Sequence, residues 1–389
     1  EQFDIVTLMN AHGARGAAEG SAPSPEYLFT VEAFHSYFDH MTDQGILNIE
    51  EPINRPRREP PVWKMIVTIR QALIDRGIEH PENHFFVFQW RTTTNNYIQT
   101  VVKKTPLTET DLSNLQRWLD EVDRVRQIER EQNRKLGPIR SITTILHMPY
   151  ADYDTNYTRL LKGEVDAAVL QARNLRVTTD NRPFHFDVDP RHPNIRKACI
   201  RAMLMSLLLL PFFVGFLMRR RGELRKLLPF VLAVGLTGLG YFLIEVVLIE
   251  RYEILIGSPV ITFSTILGTL LIFSGLGSLW SGRVKPRQAY MALGAVFIML
   301  IVQQFLPNLF PMAAALPLAA KVILVIIAVA PLAFCMGVPF PFVLRLGKDR
   351  YEESSVGILF AFNSVASALA VPLSMNISTS YGLNTTFTA

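Results

Sequence analysis

Cysteine is almost missing from these 389 residues. The two present, Cys199 and Cys335, stand far apart with no CxxC pair, which argues against a disulfide framework or a cysteine metal site. Metal-binding histidine patterns are lacking as well. The eight histidines contain no HExxH, and His35 and His40 are five apart, a step that shares no helical face, so no metal is expected. Strong charge of one sign is also absent. The balance is +5, and the basic residues gather beside apolar runs, where they read as topology determinants rather than a nucleic-acid surface. Finally, the first half lacks any long apolar run.

The second half is crowded with them. From Ile200 onward six stretches read as membrane spans: Ile200–Met218, Leu228–Ile249, Pro259–Leu279, Ala289–Leu306, Leu318–Val343 and Val356–Ile377. A hydrocarbon core of roughly 30 Å needs about 20 apolar residues at helical rise, which these lengths approach or meet. The expectation is therefore an α/β soluble part fused to an all-α bundle of six helices in a lipid bilayer. Basic residues alternate between loops: Arg219, Arg220, Arg221, Arg225 and Lys226 after the first span, Arg283, Lys285 and Arg287 after the third, Arg345, Lys348 and Arg350 after the fifth. The positive-inside rule puts these loops in the cytoplasm, and the soluble part then falls on the outer face if Ile200–Met218 spans.

In the soluble half, FDIVTL reads as a strand. EYLFTVEAFHSYFDHM follows as a helix with Leu28, Val31, Phe34, Tyr37, Phe38 and Met41 on one face, stopped by Asp43 to Gly45 ahead of the strand ILNIE. A helix over Val62–Arg76 ends at Gly77, and HFFVFQW with YIQTVVKK forms an antiparallel hairpin. The charged stretch Thr108–Arg134 carries Leu115, Trp118, Leu119, Val122 and Val125 as a stripe for packing on the sheet. Only short helices are expected over Gly137–Arg176. TTDNRPFHFDVDPRHP is too rich in proline and charge for a regular element. The expected divisions are 1–107, 108–195 and 196–389. The opening EQFDIVTL reads like the inside of a buried strand, and the expectation is an interior piece of a longer protein.

Several segments in order resemble the bacterial membrane-integrated spermidine synthase-like proteins, which join a polyamine-synthase domain of the class I methyltransferase type to transmembrane helices. These are FDIV at Phe3–Val6, YLFTVEAF followed by DQGILNI, TDNRPFHFD at Thr179–Asp187, and, in the membrane half, GYFLIEVVLIERYEILIGSPV, FSGLGSLWSGR and MGVPFPFVLR. The resemblance implies a partial Rossmann-like domain closing on an antiparallel hairpin, in a bacterial inner membrane. An active member would move an aminopropyl group from decarboxylated S-adenosylmethionine to a diamine. The family's glycine-rich nucleotide loop precedes the strand at which this sequence opens, so no cofactor is expected here. At the end of this strand, where soluble relatives place an aspartate that takes the amine's proton, stands Met9, with Asn10 beside it. Neither thioether nor amide accepts a proton at neutral pH. The nearest carboxylates in sequence are Asp4 and Glu19, and Asp4 also reads as an ordinary strand-start residue.

The expectation is little or no aminopropyltransferase activity. An accessory subunit of a larger respiratory or photosynthetic membrane complex is the competing reading, and a polyamine or cation transporter the third. The transporter rests on Glu245, an acid inside the second span, where ionised groups are costly. Glu245 reads equally as an interface acid paired with Arg251. Ser274, Gly275, Gly277, Ser278, Ser281 and Gly282 form a small-residue surface for helix packing. Pro339 and Pro341 should break the fifth span, and Asn363, Ser364 and Ser367 are available to bond the freed carbonyls.

Overall fold

In a computed structural model, residues 1–9, 25–53, 59–91, 96–132, 143–188, 200–201, 204–205, 221–350 and 354–388 are described. The chain divides into two units, Glu1–His192 and Pro193–Ala389.

The first unit is built on a five-stranded mixed sheet. Its strands are β1 (Phe3–Met9), β2 (Met41–Pro52), β3 (Phe85–Arg91), β4 (Asn96–Lys103) and β5 (Thr143–His147), in the order β1-β2-β4-β3-β5. β1 and β2 are parallel, and the β3–β4 hairpin inserts β4 antiparallel between β2 and β3. Helices α1 (Val31–Asp39), α2 (Glu59–Asp75) and α4 (Asn156–Lys162) bury one face around Phe34, Leu47, Ile66, Val87 and Leu161. The other face is packed by α3 (Glu109–Gln132) through Leu112 and Leu119 on Phe86, Phe88 and Val101. Removing exposed apolar area on this scale contributes about 25 cal/mol per Å², which is what holds both layers.

Local chemistry sets the boundaries. Thr30 Oγ1 accepts the Ala33 amide and caps α1, so Thr30, not Glu26, starts the helix. Gly77, at φ +82°, follows the end of α2 in the left-handed conformation that glycine tolerates.

Three local expectations change. Met41 does not continue α1. It opens β2 and is buried there. Asp43–Gly45 is a bulge inside that strand rather than a helix stop, since Phe3 pairs with Met41 but Ile5 pairs with Ile46. The stretch 137–176 holds, besides short helices, the strand β5, antiparallel to β3. On α3, Trp118 and Val125 are exposed, so only part of the expected stripe packs.

The irregular stretch before residue 189 is irregular as its composition predicts, yet it is tied down. Val31 N donates to Thr178 O at 2.9 Å and Glu26 N to Pro183 O at 2.7 Å. The buried Lys64 of α2 donates to Phe184 O at 2.7 Å and Asp187 O at 3.0 Å, and His185 stacks on Phe29 with centroids 4.5 Å apart.

Five spans in the second unit are long and apolar enough to cross a membrane: Leu228–Ile256, Pro259–Ser281, Pro286–Ala313, Leu318–Arg350 and Val356–Tyr381. The expected first span, Ile200–Met218, falls for the most part outside the described residues. After the short α5 (Ala167–Ala172) of the first unit, the membrane helices are α6 (Arg221–Ile256), α7 (Pro259–Ser281), α8 (Pro286–Phe305), α9 (Leu318–Met336), α10 (Pro339–Arg350) and α11 (Ser354–Tyr381). The fifth sequence span is thus two helices, broken at Gly337–Val338 just before Pro339. α11 packs along α6, and α7 along α9.

Candidate functional site

The sheet pattern brings the end of β1 to a cleft. Parallel pairing sets Met9 opposite Glu50, with Leu8 opposite Ile49 and Thr7 opposite Asn48. Side chains alternate along a strand, so Ile5 and Met9 share a face with Ile46, Asn48 and Glu50. α3 covers only part of that face. What remains is a cleft of about 430 Å³ lined by these residues, by Gln99 and Val101 of β4, and by Trp118 and Leu119 of α3. Met9 is 56% exposed and Ile5 64% exposed at its rim.

Two polar pairs are made in and beside this cleft. Gln99 Nε2 donates to Asn48 Oδ1, and at the other end Thr143 Oγ1 donates to Asp123 Oδ2 at 2.6 Å. Trp90 stacks on Tyr97 at 4.5 Å. Glu50 is 6% exposed, and burial first, then the neighbouring Glu51 carboxyl, raise its acid above the ordinary glutamate value. A mostly apolar slot edged by tryptophan and one buried carboxyl can admit a flat or apolar group. Its most exposed position at the end of β1 carries a thioether.

Glu50 overturns one expectation. Adjacent strands lie about 4.8 Å apart, whereas Asp4, five residues back along β1, is roughly 16 Å from Met9. The carboxylate closest to Met9 among the described residues is therefore Glu50, not Asp4. Asp4 accepts from Thr42 Oγ1 at 2.9 Å, well away from the cleft, and Asn10 and Glu19 lie outside the described residues. Nothing local in ILNIE marks Glu50; only the pairing of two segments about forty residues apart brings it to Met9.

Two buried histidines, His84 and His147, are held by structural partners. His147 uses both ring nitrogens, on Thr158 Oγ1 at 3.1 Å and Glu82 O at 2.9 Å, and His84 Nδ1 meets Lys103 O at 3.0 Å. Among the described residues no three His, Cys, Asp or Glu side chains converge as a metal site.

In the membrane unit Glu245 lies in α6, half-buried. Arg251 does not reach back to it in any described bond. It donates instead to Gln303 O at 2.8 Å and to Asn384 Oδ1. The small residues of α7 divide into three uses. Ser274 and Gly277 bring backbones together: a Cβ at Gly277 would collide with Phe334 O, and one at Gly337 with Ser274 O. Gly275 and Ser278 line a cavity. Ser281 and Gly282 offer their carbonyls to Arg345, which also donates to Val284 O at 2.6 Å and so closes the end of α7.

Comparison with family models, with curated proteins and with solved structures finds no match to this chain.

Proposed function

We propose that the chain is a membrane-integrated spermidine synthase-like protein of a bacterial inner membrane whose soluble domain does little or no aminopropyl transfer. Met9 carries this reading. In open α/β sheets ligands gather at the carboxyl ends of parallel strands, and the residue exposed at that end of β1 is a thioether. Deprotonating an attacking ammonium requires a basic atom at this position, and sulfur in a thioether is not one. The Rossmann-like part of the reading is supported by parallel β1 and β2 with a helix between them, antiparallel β4 beside β2, and helices on both faces. The orientation is supported by Arg345, which meets the α7 terminus beside Arg283, Lys285 and Arg287; these charges share one end of the bundle, assigned to the cytoplasm.

Glu50 favours a second reading, in which acid–base chemistry has moved one strand over. One assay separates the two. Membranes holding the intact gene product are given decarboxylated S-adenosylmethionine, labelled in the aminopropyl group, and a diamine. The expected result is no labelled triamine above a heat-killed control. Labelled product that disappears in Glu50→Gln would establish the second reading and overturn the first.

A further inference from the structure

The membrane unit holds a cavity of about 280 Å³ to which the soluble-domain reading gives no role. Its wall includes the break between α9 and α10, where Met336, Gly337, Phe340 and Pro341 face α6, α7 and α11. Backbone leaves helical form at membrane depth only where it is packed in protein or lines a cavity. Discontinuous helices of this kind build ligand sites in the bilayer because their free backbone groups are available. Pro341 has no N–H, so the Gly337 carbonyl four residues earlier lacks its helical donor.

The facing helix supplies the decisive atoms. Ser367 of α11 is 7% exposed, and its buried hydroxyl has no hydrogen-bond partner in the wall of this cavity. Asn363, one turn earlier, holds a buried side-chain oxygen there, also without a partner. Both crowd Gly238 of α6, where a Cβ would lie 2.9 Å from Ser367 Oγ and would strike Asn363 Oδ1. Tyr241 OH and Ser274 Oγ, 3.3 Å apart, complete the polar side. Leaving such groups unpaired in a low-dielectric interior is costly, so a ligand that satisfies them recovers that cost on binding.

The lining dictates the ligand's chemistry. Among the described residues it contains no Lys, Arg or His; the unpaired Asn363 Oδ1 can only accept and the Ser367 hydroxyl can accept as well as donate, so a ligand rich in donors suits both. Leu271, Phe242 and Phe340 give the lining an apolar part that takes hydrocarbon. Residues 238, 241 and 245 follow one another at helical spacing along α6, which puts Glu245 one turn beyond Tyr241 on the same stripe, next to the lining but not part of it. An acid there supplies the opposite charge for a cation. We propose that this cavity binds a small alkylammonium ion, its N–H groups donating to Asn363 Oδ1, Ser367 Oγ and the Gly337 carbonyl, its chain on the apolar wall, and its charge offset by Glu245.

The test uses the full chain purified into nanodiscs and equilibrium binding of radiolabelled n-butylammonium, with n-butanol and Na⁺ as competitors. Saturable binding that neither competitor displaces is expected. Ser367→Ala and Glu245→Gln should each weaken it about tenfold, the loss of one bond or charge contact to a cation. Gly238→Ala should abolish it by driving a methyl group against Asn363 and Ser367. Where Gly238→Ala fails to fold, Ser367→Ala, which removes a single oxygen, still decides. Absence of saturable binding, displacement by butanol or by Na⁺, or affinity unchanged in both Ser367→Ala and Glu245→Gln would overturn the proposal. None of these outcomes depends on whether the soluble domain transfers aminopropyl groups.

Discussion

In the cleft beside β1 Gln99 bonds Asn48 and Thr143 bonds Asp123, whereas in the membrane cavity Ser367 and Asn363 hold buried oxygens that bond to nothing. The difference lies between these two linings and not between the units as wholes, since the first unit also buries unpaired atoms such as Thr100 Oγ1 and Thr178 Oγ1. A soluble cleft whose polar groups are largely paired with one another has little left to offer a ligand, and Met9 removes the proton acceptor as well. A membrane cavity with unpaired oxygens at a helix break has recognition capacity in hand. The comparison teaches that, in this chain, binding chemistry belongs to the half with the simpler sequence.

The contrast can be broken most forcefully at Lys64, which is 1% exposed and fully engaged. Lys64→Met strands the Phe184 and Asp187 carbonyls and should cost about 2–5 kcal/mol, read as faster amide exchange over residues 178–188 in the full chain. A cost below 0.5 kcal/mol would mean that the soluble unit is not held by its paired polar groups (about the scale of a surface substitution).

A smaller effect is the pH response of the same contact. Burial, the leading cause, pulls the Lys64 amine down to about 7, against the raising influence of Asp187 and with the lowering influence of Arg182. Between that value and the ordinary lysine range the unfolded chain holds a proton that the folded chain does not, so stability of this region should rise with pH across the window. Amide protection over residues 178–188, measured from pH 7 to 10, should therefore increase, and Lys64→Met should flatten the slope. A fall in protection with rising pH would contradict the assignment.

The smallest effect sharpens the contrast from the other side. Removing an oxygen that has no partner costs almost nothing, so Ser367→Ala should leave ligand-free stability within about 0.5 kcal/mol of the parent or raise it. A loss of more than about 1 kcal/mol in thermal or detergent unfolding would show that Ser367 is structurally engaged.

Much of this architecture was legible in residue patterns. The apolar and aromatic runs FDIVTL, HFFVFQW and YIQTVVKK give β1, β3 and β4, and the apolar runs after Leu228 give the five spans. Short-range signals failed where long-range pairing decides. Met41 fits the helical periodicity of α1 yet joins β2, because the next segment pairs with β1 from its first residue. β5 is five residues long and finds its place only against β3. For the candidate sites, Met9 could be named only through the family resemblance, and Glu245 and the proline break from their places inside apolar runs. Glu50 could not, since its place beside Met9 is a property of strand register. Ser367 could be named only as a bonding partner for the break, because sequence does not say whether a hydroxyl is satisfied.

The most direct test of where binding chemistry resides is photolabelling of the intact protein with a diazirine-bearing alkylamine, followed by peptide mapping. Label concentrated in the segments around 237–245, 336–341 and 363–367, and lost on adding n-butylammonium, is the predicted result. Label concentrated instead around 46–50, 88–101 and 115–122, competed by the same amine, would contradict it.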